Sequence, residues 1–218
     1  MTREYHRATT EFDRSLNFVD AIFGFSATLL VTSLEVPPAE EWKSLSTLLG
    51  GGLGHQLAVF GISFAVIAGF WRVNHQVIAG FRALDGMTLR IMLYLAALVI
   101  FIPFTTRANG DPDPARYPLP MTLYAANIAA VVLMTMALVL VGRRRGLSDD
   151  STPLIEEFLG MAVVAAVFLI SIPVAYRFGP GNGQTCWLSL LVLGPLATVI
   201  VKRLSATRQR SGPASPRR

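Results

Sequence analysis

The chain has 218 residues, 52% of them hydrophobic and 15% charged, with a formal net charge of +5. A soluble domain averages about 25% charged residues, so this composition argues against a soluble fold. The basic residues are segregated between long apolar stretches, which assigns the positive excess to membrane surfaces and argues against nucleic-acid binding.

Six stretches are nearly free of charge: 15–34 (Asp20 only), 44–71, 86–106 (Arg90 only), 117–142, 158–176 and 178–201. A helix needs roughly 20 apolar residues to cross the ~30 Å hydrocarbon layer, and each stretch approaches that length. The runs are continuous rather than alternating, which favours helices over a barrel. The first twelve residues hold Arg3, Glu4, Arg7 and Glu11 and no apolar core, so no cleavable signal peptide is expected.

In chain order, the first helix is expected over residues 16–34, closed by Pro37-Pro38 and an acidic loop. The second covers 45–75. Asp85 and Thr88 open the third in the manner of an N-cap, and Pro103 is expected to end it. A non-helical loop rich in Gly, Asp and Pro fills 109–120. The fourth helix runs over 121–141 and stops at Arg143-Arg144-Arg145. A fifth and a sixth form a last pair joined at Gly179 to Gly183, with the sixth starting near Thr185. The expected organisation is therefore an all-α bundle of six spans over 1–204. A basic tail over 205–218, disordered and facing anionic lipid heads, completes it.

With both termini in the cytosol, fifteen basic residues fall on the inner side and four on the outer, a strong positive-inside bias. The outer loops carry Glu35, Glu40, Glu41, Asp111 and Asp113. The expected location is thus a cell membrane, crossed several times.

No enzymatic constellation is legible. His6, His55 and His75 are far apart, and HExxH, P-loop and GxSxG patterns are missing. The potassium-filter sequence TVGYG is missing too, which argues against a re-entrant carbonyl filter. The lone Cys186 has no partner for an internal disulfide. Neither a metal nor an organic cofactor is expected.

The first helix carries the chemistry. Asp20 lies about one turn inside it, and a carboxylate within a span faces protein or water. It is either a packing clamp or an ion ligand. Thr28 and Thr32 share a face with Phe25 and Leu29 at helical spacing. Those hydroxyls either bond their own helix carbonyls or line a path. At the end of the second helix, Trp71, Asn74 and His75 offer donors within geometric reach of Asp20.

Arg14, Phe18 and Asp20 followed by Thr28-Leu29-Leu30 resemble the opening signature of the transmembrane protein 175 family of endolysosomal and bacterial potassium channels. Phe70-Trp71 with Asn74-His75, Ile102-Pro103-Phe104, and Leu123-Tyr124 with Asn127 extend the resemblance through the fourth helix. Val19 replaces the serine usual in the signature, and Phe25 stands where isoleucine or leucine is usual. The resemblance implies a pore lined by the first helix, with Phe25 at its narrowest point, Thr28 bearing on selectivity, and Leu29 and Thr32 continuing outward. Arg14, Phe18, Asp20, Trp71, Asn74 and His75 form the motif network. One six-helix unit supplies one pore helix, so a homotetramer conducting potassium and other monovalent cations is implied. The competing reading is a proton-coupled transporter using Asp20 and His75, which the lack of an inverted repeat disfavours.

The topology is testable by impermeant thiol labelling of single cysteines at positions 38 and 113 in a Cys186→Ala background. Both should label in intact cells. Labelling of position 113 only after permeabilisation would reverse the orientation.

Overall fold

The computed structural model describes residues 4–111, 113–148 and 154–211. It is an all-α membrane protein. Helix α1 (Thr10–Leu29) continues through a 3-10 turn, Leu30–Ser33. Next come α2 (Leu45–Gly50) and α3 (Gly52–Ala79), then α4 (Gly86–Gly110) and α5 (Pro118–Arg144). The chain finishes with α6 (Leu154–Phe178), α7 (Pro180–Thr185) and α8 (Leu190–Ser211). Two short strands, β1 (Glu4–His6) and β2 (Ala83–Asp85), pair antiparallel.

Several boundaries differ from the sequence expectation, each for a local reason. The first helix starts six residues earlier, because the Thr9 side chain accepts from the Phe12 N–H and caps it. The second span is broken at Gly51, and only α3 is long enough to cross. Pro103 does not end α4. It sits buried within the helix, where packed neighbours tolerate the missing N–H. The expected Asp85 cap is present as a full capping box with Thr88.

Five helices among the described residues are long and apolar enough to cross a membrane: the element Thr10–Ser33, α3, α4, α5 and the part of α6 from Phe158. The expected sixth is not among them. Apolar sequence in α8 extends only from Leu190 to Val201 before Lys202, about 18 Å at 1.5 Å per residue. Helix α8 also covers 205–211, the first part of the stretch assigned to the tail; 212–218 lie outside the described residues.

The packing is ordered around α4 and α5. Helix α4 touches α1, α3 and α5, and α6 packs on the other side of α5 and carries α7 and α8. In the apolar window of α5, 56% of residues are buried, against 22% for α1 and 11% for α3. The core therefore sits between α4 and α5, and the first two spans present most of their surface outward.

One end of the bundle is tied together by polar contacts. Asp85 is 2% exposed, accepts from the backbone N–H groups of Met87 (3.1 Å) and Thr88 (2.9 Å), and meets Arg145 Nε at 2.5 Å. The Arg7 guanidinium donates to the carbonyls of Ala79 (2.5 Å) and Phe81 (3.0 Å) at the end of α3. The Arg82 N–H donates to the Leu147 carbonyl at 2.7 Å. A Cβ on Gly142 would collide with the Phe81 ring, so only glycine lets α5 pass this knot.

Burial alone would push the Asp85 carboxyl up. The Thr88 N–H and hydroxyl and the Arg145 charge outweigh it and hold its pKa below the usual 3.8. A depressed carboxylate contributes stability that is complete well above 3.8 and fades as pH falls through the lower folded value. Asp85→Ala should cost about 3 kcal/mol, combining a lost cap with an abandoned guanidinium. Thermal unfolding in detergent from pH 7 to pH 3 checks this: wild type should lose stability on acidification, and the variant should lose less.

Candidate functional site

Helix α1 has two faces of different character. Val19, Phe23, Ser26 and Leu30 are buried against the bundle. Phe25 (69% exposed), Thr28, Leu29 (46%) and Thr32 point away from it and recur at helical spacing. The structure thus brings together all four residues expected to line a path. Their surroundings within one chain are open.

The hydroxyls are not free on both sides. Thr28 donates to the Phe25 carbonyl at 2.8 Å, and Thr32 donates to the Leu29 carbonyl at 2.7 Å. Each hydroxyl hydrogen is therefore committed inward. What Thr28 and Thr32 offer the open face is oxygen lone pairs, which suit a cation and not an anion.

Asp20 is held by one of the three residues at the end of the second span that offered it a donor. Its Oδ1 accepts from Trp71 Nε1 at 3.0 Å, and the Trp71 ring stacks on His75 with centroids 5.6 Å apart. Arg14 lies six positions earlier, roughly 120° around the helix at 100° per residue, and reaches elsewhere. It borders a cavity with Phe18, Leu89 and Leu93. Asn74 is 3% exposed and faces the core with its Oδ1 unpaired. Phe18 is 54% exposed. The motif residues are thus divided: Asp20, Trp71 and His75 form one chain of contacts, and Arg14, Phe18 and Asn74 lie apart from it.

A second polar set was not legible in the sequence. Thr106 of α4 donates to Ser63 of α3 at 3.0 Å, and Ser63 lies 3.4 Å from the Tyr124 hydroxyl of α5. Tyr124 in turn packs with Phe168 and Trp187. These hydroxyls fix α3 against the α4–α5 core at a level where lipid offers no partner. Beyond them, Arg107 pairs with Glu35 at 3.4 Å, next to the end of the first span. No group of three His, Cys, Asp or Glu able to hold a metal occurs among the described residues.

Residues 14–103 match the family model described as endosomal/lysosomal potassium channel TMEM175. That segment, less than half of the chain, is similar to the TMEM175 family. It contains the whole exposed face of α1, the Asp20–Trp71 contact and Pro103 of α4. A Streptomyces collinus protein described as a potassium channel is 28% identical over 131 residues, 56% of this chain and 57% of that protein. The match thus spans little more than half of that relative's length. In structure, the chain resembles a TMEM175 homologue from Chamaesiphon minutus, described as a lysosomal potassium-selective channel homologue, with a TM-score of 0.67. The likeness covers 87% of this chain and 99% of the other at 20% identity, so the TMEM175 fold extends beyond the family match into α5 and α6.

Trp71→Phe keeps the ring on His75 and removes the one donor seen on Asp20. It should lower the thermal stability of the purified protein by on the order of 2 kcal/mol, the worth of a hydrogen bond to a charged group. Arg14→Gln should leave that stability nearly unchanged. Equal effects of the two would mean that Trp71 does not carry the clamp.

Proposed function

We propose that this chain forms a potassium-permeable cation channel of the cell membrane, with α1 from four copies around the path and no enzymatic step. The observation that carries the reading is the exposed face of α1, where Phe25, Thr28, Leu29 and Thr32 all point away from the rest of their own chain. One such face cannot enclose a path, and four can. The family match of residues 14–103 supports potassium as the permeant ion.

A ring of four Phe25 side chains makes the narrowest point. A cation crossing an apolar ring must shed water with nothing to replace it, so such a ring blocks by dewetting. Four Thr28 oxygens, about one turn further along, present lone pairs that partly replace the lost water. Thr32 repeats this one turn on. The arrangement gives modest cation preference without carbonyl cages. Asp20 acts as a clamp to α3 rather than as an ion ligand, because its carboxylate is engaged by Trp71. The same engagement weakens the transporter alternative, since indole does not titrate between Asp20 and His75. Both termini are assigned to the cytosol, the side that carries the arginine excess.

Phe25→Ala should raise flux by widening the ring. Thr28→Val should lower potassium preference over sodium by removing the oxygens. Liposome flux under opposed potassium and sodium gradients measures both. Unchanged flux and selectivity in well-assembled variants would remove α1 from the path.

A further inference from the structure

The carboxyl end of the first span is fastened to its neighbours through one residue. The Glu35 N–H donates to Gln56 Oε1 of α3 at 2.8 Å, and the Glu35 carboxylate pairs with Arg107 of α4 at 3.4 Å. Among the described residues, these are the hydrogen bonds that join 30–35 to other helices. The platform they reach is firm. A Cβ on Gly110 would meet Val59 at 3.1 Å, so α3 and α4 touch here. Thr106, beside Arg107, is tied to Ser63 at 3.0 Å.

Just before that fastening the helix changes form. Leu30–Ser33 is a 3-10 turn, closed by the Leu34 N–H on the Val31 carbonyl at 3.1 Å. A 3-10 helix has about three residues per turn and rises about 2.0 Å per residue, so positions three apart eclipse. Thr32 thus stands over Leu29, and its hydroxyl donates to the Leu29 carbonyl at 2.7 Å. An α-helix advances about 100° and 1.5 Å per residue. Were the turn to relax to that form, Thr32 would swing about 60° around the axis and draw back about 1.5 Å. Binding geometry tolerates only about 0.5 Å and 10–20°, so a hydroxyl displaced that far no longer meets a cation at the same place.

The hydrogen bonds of a 3-10 turn have poorer geometry than those of an α-helix, so the stretched form needs an external hold. We propose that Glu35, paired with Arg107, is a positioning residue for ion preference: it keeps the last turn of α1 stretched and fixes the Thr32 oxygen along the path. This rests on the reading of α1 as the lining of a potassium path. Its part is indirect, because the carboxylate is engaged by a guanidinium. The side chains of the pair are 57% and 65% exposed, so salt screens it. Asp111 is the third charge lining the hollow between these helix ends.

Two measurements on the assembled protein test this: amide hydrogen exchange over residues 30–35, and liposome flux under opposed potassium and sodium gradients. Arg107→Gln and Glu35→Gln should each speed amide exchange at Leu34 and Glu35 about threefold, the scale of an exposed ion pair. Raising salt from about 0.1 M to about 1 M should speed wild type likewise and leave Arg107→Gln unchanged. In flux, both variants should lower potassium preference, and Glu35→Gln should add nothing in a Thr32→Val background. The charge-swapped pair, Glu35→Arg with Arg107→Glu, should restore part of both readouts, with Asp111 opposing the relocated carboxylate. Unaltered amide exchange in the single variants, or no restoration by the swapped pair, would overturn the proposal. So would faster amide exchange with potassium preference unchanged while Thr28→Val lowers it, which leaves the path itself standing. Preference unmoved by Thr28→Val, Thr32→Val and Glu35→Gln alike would overturn it together with the path.

Discussion

A carboxylate buried at the end of a membrane bundle has to be answered on every side, and Asp85 is. Two backbone N–H groups and a hydroxyl at the start of α4 meet one oxygen, and Arg145 at the end of α5 meets the other. One side chain therefore begins a helix and fixes that helix against its principal partner. The cost of removing the charge from water is offset only because all of these groups converge. Around the same point, β2 pairs with β1, Arg7 bonds the end of α3, and Leu147 accepts from Arg82. The ends of α1, α3, α4 and α5 are positioned by contacts that all pass within a few residues of Asp85.

From that fixed end the helices divide into two classes. Helices α4 and α5 satisfy each other, through apolar packing and through the Thr106, Ser63 and Tyr124 hydroxyls that hold α3 in place. Helices α1 and α3 are anchored at their ends and at Asp20–Trp71, yet leave long faces uncovered. The exposed row of Phe25, Thr28, Leu29 and Thr32 mixes apolar carbon with hydroxyl oxygens whose hydrogens are already bonded to the helix.

Much of this was visible in the sequence, and the failures have physical causes. Charge-free stretches located the spans because desolvating a charge dominates everything else in a membrane. The Asp85–Thr88 cap was readable because capping is local. The start of α1 was misplaced because Glu11, Asp13 and Arg14 look like an aqueous lead, whereas Thr9 had already capped a helix there. Pro103 was read as a stop because proline breaks isolated helices, but it is buried within α4, where packing offsets the lost hydrogen bond. The sixth expected span is not among the candidate spans of the described residues, because its uncharged stretch is divided among α7, a 3-10 turn and α8. Among Trp71, Asn74 and His75, the donor to Asp20 is Trp71, a choice that depends on how α1 and α3 rotate against each other. The Asp85–Arg145 pair joins positions 60 apart, and no local pattern announces it.

The pairing of Glu4–His6 with Ala83–Asp85 also bears on how the chain reaches its final state during synthesis. Residues 4–6 are made first, but the strand that completes their ladder emerges only after two membrane crossings. The amino-terminal segment must therefore wait, unpaired, until α3 has returned the chain to the side from which α1 departed. A nascent chain that failed to insert either of those two segments would leave the strands on opposite sides of the bilayer. The small antiparallel pair thus acts as a parity check on insertion: it can close only when the number of crossings before it is even.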